Sequence, residues 1–207
     1  LSQSRRAYPG GLSRKHERNM KHIMVDLETL GTVADAVILS IGAVKFDLDS
    51  DVIDDDGFYA SISIESNLET NRRVQEDTLI WWMGQSAEAQ GVFNETKTHL
   101  RPALVELSDW IGDPDYQVWS NGGDFDLPML AHAFTQHGIE IPWKFWNANC
   151  FRTYKKLPGA KNVKVTFDGV KHNALIDALH QAKTVQAIQA KLFGNNHVFQ
   201  IKPKANA

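Results

Sequence analysis

Val25-Asp26-Leu27-Glu28-Thr29 closes the first apolar run of the chain, which starts at His22. His22 to Leu27 reads as a strand rich in apolar and β-branched residues. Side chains alternate along a strand, so Asp26 and Glu28 point to the same side, their Cβ atoms about 6 to 7 Å apart. Two carboxylates held that close repel, and one keeps its proton to higher pH unless a divalent cation sits between them. The pair asks for a metal, although Asp-x-Glu alone also occurs at solvated strand ends.

Downstream, Val33 to Asp47 contains a second strand rich in Val, Ile and Ala, and Phe58 to Ile64 alternates as a third. Together the three make an early antiparallel meander. Six aspartates, Asp47, Asp49, Asp51, Asp54, Asp55 and Asp56, lie between the second and third strands and are closed by Gly57. They read as a solvated hairpin loop. A calcium loop of the EF-hand kind would need a central glycine, a glutamate at its twelfth position and flanking helices, which this stretch lacks.

Helix signals follow. One helix starts at Thr78 and holds Trp81 and Trp82, which point about 100° apart and are both expected in the core. Another carries the stripe Leu100, Leu104, Leu107 and Ile111 and ends at Gly112. Tyr116 to Ser120 reads as a strand. Asp126 opens a helix with Leu127, Leu130, Ala131 and Phe134 on one face and Gly138 as its stop. The longest helix runs from about Asn173 to Phe193, with Leu175, Leu179, Ala182, Val185, Ile188 and Leu192 as its core-facing series. Early strands, late helices and alternation between them predict an α/β fold, a mixed central sheet with an early antiparallel meander, flanked by helices.

Two further acidic motifs lie at helix starts. In Asn121-Gly122-Gly123-Asp124-Phe125-Asp126 an acid falls at a strand-to-helix junction, where open-sheet sites form. Asp126 also suits an N-cap, with Asp124 as a competing cap or ligand. In His172-Asn173-Ala174-Leu175-Ile176-Asp177 the outer two side chains would stand about 140° apart on one continuous helix. They can meet only if His172 lies in the loop before the helix, Asn173 near its cap, and Asp177 in the first turns.

Asp26-x-Glu28, Asn121-x3-Phe125-Asp126 and His172-x4-Asp177, in that order, resemble the three motifs of DEDDh-type 3′ to 5′ exonucleases, the DnaQ-like branch of the ribonuclease H-like superfamily. Thr78-Leu79-Ile80-Trp81-Trp82 with Gln85-Ser86, and Phe145-Trp146-Asn147 with Arg152-Thr153, look like landmarks of small phage and prophage exodeoxyribonucleases. The chain is also similar to mycobacterial 3′-5′ exoribonuclease-like proteins. The likeness spans about residues 21 to 193. It departs at Cys150, where many relatives carry an aspartate, outside the four-carboxylate set.

The resemblance implies a ribonuclease H-like sheet, the antiparallel meander followed by parallel strands, and hydrolysis of single-stranded nucleic acid from its 3′ end, DNA favoured and RNA open, releasing nucleoside 5′-monophosphates. Two divalent cations, Mg2+ or Mn2+, would be held by Asp26, Glu28, Asp126 and Asp177, with Asp26 bridging the two, and His172 would act as general base. Leu27, Thr29 and Leu30 match positions that touch the terminal nucleotide, and Phe125 could stack a base. Asn121 and Lys171 complete the expected substrate contacts.

Composition bounds the rest. The chain has 207 residues, 43% of them hydrophobic, enough for one core. Residues 1–19 carry Arg5, Arg6, Arg14, Lys15 and Arg18 against Glu17 and read as a flexible basic leader, with 20–207 as the exonuclease domain. Of the chain's 22 basic and 25 acidic residues, 17 and 24 fall in residues 20–207, a net −7. That acidity excludes a purely electrostatic nucleic-acid binder, so short contacts at 3′ ends of single-stranded DNA or RNA are expected. The exception is Arg152 to Lys171, where Arg152, Lys155, Lys156, Lys161, Lys164 and Lys171 face only Asp168. This segment either guides the strand or is an ordinary solvated loop. A lone Cys150 and the absence of any long apolar run fit a cytoplasmic protein with no membrane partner. Oligomeric state stays open, a homodimer included. The competing reading is a binding or adaptor module of the same fold without activity.

Overall fold

The computed structural model describes residues 20–194; the basic leader expected at 1–19 lies outside the described residues. Strands β1 (His22–Thr29), β2 (Ile38–Phe46) and β3 (Phe58–Ser61) form the antiparallel meander. Helices α1 (Ile64–Leu68), α2 (Glu76–Met83), α3 (Ala87–Gln90) and α4 (Leu100–Ile111) follow. Then come β4 (Gln117–Ser120), α5 (Asp126–Gln136), β5 (Ala148–Cys150), α6 (Phe151–Tyr154) and α7 (Ala174–Phe193). The five strands lie in the order β3-β2-β1-β4-β5, with β4 parallel to both β1 and β5. This is the mixed sheet that the sequence predicts.

Alternation along β1 sorts its residues between two layers. Ile23, Val25 and Leu27 face α4 and α5, where Leu100, Leu104, Leu107, Leu130 and Phe134 are fully buried. Each such side chain contributes roughly 2 kcal/mol by leaving water. Met24 faces the opposite layer, against Ala178, Ala182 and Val185 of α7, so Asp26 and Glu28 share the α7 side.

The third strand is shorter than expected. Ile62 N–H still bonds Leu39 O, but the Ser63 hydroxyl accepts from Ser66 N–H and starts α1 there. Helix α2 begins at Glu76, two residues before Thr78. Trp82 is buried, but Trp81 is 44% exposed, which overturns the expectation that both are core. The aspartate-rich stretch is the β2–β3 hairpin connection, held to α7 by Gln186 Nε2 donating to Asp47 O (2.9 Å) and Val52 O (3.0 Å).

Helix α7 lies on the sheet along Ala174, Ala178 and Ala182, rotated from the predicted series, so that Leu175 and Leu179 are only half-buried. The cause is close approach at Gly42, which pairs with Asp26 across β1 and β2. A Cβ there would stand 2.2 Å from the backbone of Ala174 and Leu175. Gly42→Ala is therefore expected to push α7 off the sheet at a cost of about 1 to 3 kcal/mol. Thermal denaturation should show Tm lower by roughly 3 to 10 °C; an unchanged Tm would mean that α7 can yield without loss.

Candidate active site

The sheet and α7 bring the three motifs together. Asn173 caps α7, its side chain accepting from Ile176 N–H, and His172 sits just before it with φ 63°. That left-handed turn places His172 N–H 2.8 Å from Asp177 Oδ2. The loop-then-helix arrangement required by the spacing is the one observed. Ligand atoms of Glu28, His172 and Asp177 all lie within 4.8 Å of one another.

Asp126 arrives from the β4–α5 turn. The N-cap position belongs to Phe125, and no side chain caps the helix, so the capping role considered for Asp126 is not the one it takes. Its Oδ1 instead accepts Leu27 N–H at 3.1 Å, between the two acids of β1. The turn depends on Gly122 at φ 144°, where a Cβ would meet the Arg152 guanidinium at 2.9 Å. Arg152 Nη2 donates to Asn121 O at 2.7 Å, fastening the turn to α6.

Burial raises all four acids above the usual carboxylate range, and repulsion from neighbouring acids adds to it at Asp26 and Glu28. Asp26 is raised by burial, then by Asp126, Glu28 and Asp177. Glu28 is pushed up to about 8 by burial and by Asp177 and Asp126. Asp126 reaches about 7, burial outweighing its hydrogen bonds and the Arg152 charge. Asp177 is raised too, chiefly by burial.

Donor chemistry matches hard divalent cations. Asp126 is 2% exposed, and its Oδ2 has no hydrogen-bond partner among the described residues. A buried carboxylate oxygen left unpaired is costly, and a cation would relieve both that cost and the repulsion. Magnesium or manganese suits such an oxygen-rich set.

One feature of the site escaped the sequence reading. Gln181 Nε2 donates to Asp26 Oδ1 at 2.7 Å. It lies four residues after Asp177, one helical turn along the same face, so local spacing puts it beside Asp177, while the packing of α7 on the sheet brings it to Asp26.

An apolar cleft of about 370 Å³ adjoins the acids, lined in part by Leu27, Glu28, Thr29, Trp81 and Phe125. Trp81 stands edge-on to the His172 ring, centroids 4.9 Å apart. Trp82 Nε1 donates to Thr29 O at 2.8 Å and fastens α2 to the end of β1. Leu30 does not line this cleft; it is buried with Val37, Leu39 and Trp82, because the chain has turned inward past the end of β1. Asn121 lines a second cleft, on the Asp177 side. Lys171 is exposed and lines neither.

The family described as the 3′-5′ exoribonuclease Rv2179c-like domain matches residues 21–189. The chain belongs to that family. It therefore carries a 3′-5′ exonuclease domain, with the three motifs inside the matched span. The exodeoxyribonuclease of Enterobacteria phage T4 is 24% identical, over 65% of this chain and 70% of the phage protein. Among solved structures, E. coli exonuclease I in complex with a dT13 oligonucleotide superposes with a TM-score of 0.57 at 12% identity, over 82% of this chain and 41% of that one. Cell-death related nuclease 4 superposes with a TM-score of 0.52 at 14% identity, over 79% and 62%. This chain thus spans about two fifths of the exonuclease I chain, and that likeness shows the shared fold. No helix among the described residues is long and apolar enough to cross a membrane.

Proposed function

We propose that the protein hydrolyses single-stranded nucleic acid from its 3′ end, DNA in preference to RNA, releasing nucleoside 5′-monophosphates. The observation that carries this reading is the convergence of Glu28, His172 and Asp177 within 4.8 Å, beside Asp26 and the buried Asp126. Asp26, Glu28, Asp126 and Asp177 would hold two Mg2+ or Mn2+ ions, which when bound neutralise charge at the scissile phosphate and lower the pKa of water there. A ring nitrogen of His172 takes the proton of the attacking water, a task worth about 10² to 10⁴ in rate. The His172 N–H to Asp177 bond and the Trp81 edge hold that ring in place. The apolar cleft of Leu27, Thr29, Trp81 and Phe125 seats the terminal nucleoside and shields it from water.

DNA is favoured by similarity to the phage exodeoxyribonuclease, whereas the family description names exoribonucleases. Matched 5′-labelled single-stranded DNA and RNA decide between them. The expected result is a ladder shortening from the 3′ end with magnesium or manganese, faster on DNA and absent with chelator. A faster RNA ladder would reverse the sugar preference. No ladder on either strand, with folding intact, would favour the adaptor reading.

A further inference from the structure

The second cleft, of about 440 Å³, lies between α7 and the basic segment that follows α6. Lys155, Lys161 and Lys164 line it, and Asp177 is the sole acid among the described residues of its wall. Such a positive hollow is conspicuous in a chain whose residues 20–207 carry −7. Two buried polar atoms among its lining residues, Gln181 Oε1 and His180 Nδ1, have no hydrogen-bond partner among the described residues. Gln181 is 6% exposed, so water reaches this acceptor poorly, and buried polar groups in folded proteins are otherwise almost always paired. Val163 and Val165 add an apolar wall. Anion-attracting lysines, residues with unpaired polar atoms and an apolar side together fit a nucleotide.

Position says which nucleotide. Glu28 lines the apolar cleft and Asp177 lines the lysine cleft, yet their ligand oxygens lie within 4.8 Å of each other. The two clefts therefore meet at the acids. A strand with its terminal nucleoside in the first cleft and its scissile phosphate at the acids carries its next residue into the second. We propose that the lysine cleft seats the nucleotide on the 5′ side of the scissile phosphate, an inference that rests on the exonuclease reading above. Lysine charge then meets the strand only beside the cut, which reconciles an acidic chain with an anionic substrate.

The test pairs two substrates with the double variant Lys161→Ala/Lys164→Ala. A single-stranded oligo(dT) of about twelve residues reaches both clefts with its phosphates, whereas the p-nitrophenyl ester of thymidine 5′-monophosphate has one nucleoside and no phosphate beyond the scissile one, so only its uncharged p-nitrophenyl group points toward the lysines. The variant should raise KM for the oligonucleotide about tenfold and flatten its salt dependence by about 1.4 in log–log slope, 0.7 per lysine. Hydrolysis of the ester should change by less than about twofold. Lys183→Ala removes one charge from α7 outside the cleft and should alter neither substrate. Equal losses on both substrates, an unchanged oligonucleotide KM, or a matching effect of Lys183→Ala would overturn the assignment. If the native chain turned over neither substrate, the exonuclease reading itself would fall. Oligonucleotide binding by fluorescence anisotropy, which needs no turnover, would then decide the cleft alone: unaltered affinity in the double variant rejects it.

Discussion

Asp177→Asn should lower the rate of 3′-end hydrolysis by at least about 10³-fold, equivalent to roughly 4 kcal/mol of transition-state stabilisation. The asparagine keeps an oxygen that can accept from His172 N–H, so the loop before α7 and the cap at Asn173 persist. What disappears is the negative charge on a carboxylate that shares a space of 4.8 Å with Glu28 and His172. Asp177→Ala should lose as much activity and in addition release His172 from its backbone anchor. Steady-state rates on a 5′-labelled strand, with circular dichroism to confirm the fold, make the comparison. Activity of the asparagine variant within about tenfold of native would show that the Asp177 charge is not needed for the reaction.

The metal-free protein should lose stability as pH rises, opposite to the usual behaviour of a protein with paired carboxylates. Glu28 and Asp126 titrate near 8 and 7 in the folded chain because burial disfavours their charged forms. Unfolded, both return to ordinary carboxylate values near 4. Between those limits the folded state binds more protons than the unfolded state, so the slope of stability against pH is negative. Their contribution is complete below about pH 4 and is lost as pH passes through about 7 to 8. From about pH 5 to 8 in chelator, Tm should fall by roughly 5 to 10 °C, a loss on the order of a few kcal/mol. Saturating manganese should remove most of that fall, because a cation that binds only the native acids stabilises their ionised forms. A Tm that rises over this range without metal would mean that the four acids are not held together in the folded chain.

Much of this site follows from local spacing. Strand alternation alone puts Asp26 and Glu28 on one side. Helix geometry alone forces His172 out of α7 if it is to meet Asp177, and the Asn173 cap and the φ of 63° at His172 realise that requirement. The apolar stripe of α4 and the order of strand and helix signals likewise announce a mixed sheet covered by helices. These features repeat every two or 3.6 residues, so they leave a periodic mark in the sequence.

Other features depend on contacts between distant segments and leave no such mark. The approach of Ala174 to Gly42 sets how α7 lies on the sheet and brings Gln181 to Asp26, 155 positions away. Asp126 looked like a helix cap, yet Leu27 N–H, on the neighbouring strand, claims its Oδ1. Trp81 and Trp82 look alike in sequence, but α2 rests on the end of β1 through Trp82, leaving Trp81 to edge the His172 ring. Leu30 turns inward for the same reason of packing. By itself the sequence determined the fold class and put Asp26 and Glu28 on one side, because strand periodicity dictates which side chains share a face. Asp126, His172 and Asp177 were joined to them through the likeness of three motifs to an exonuclease family. Only the tertiary structure decided that Asp126 answers to Leu27, that Gln181 joins the site, and that a lysine cleft opens beside Asp177, because each depends on segments that close packing, and not local spacing, brings together.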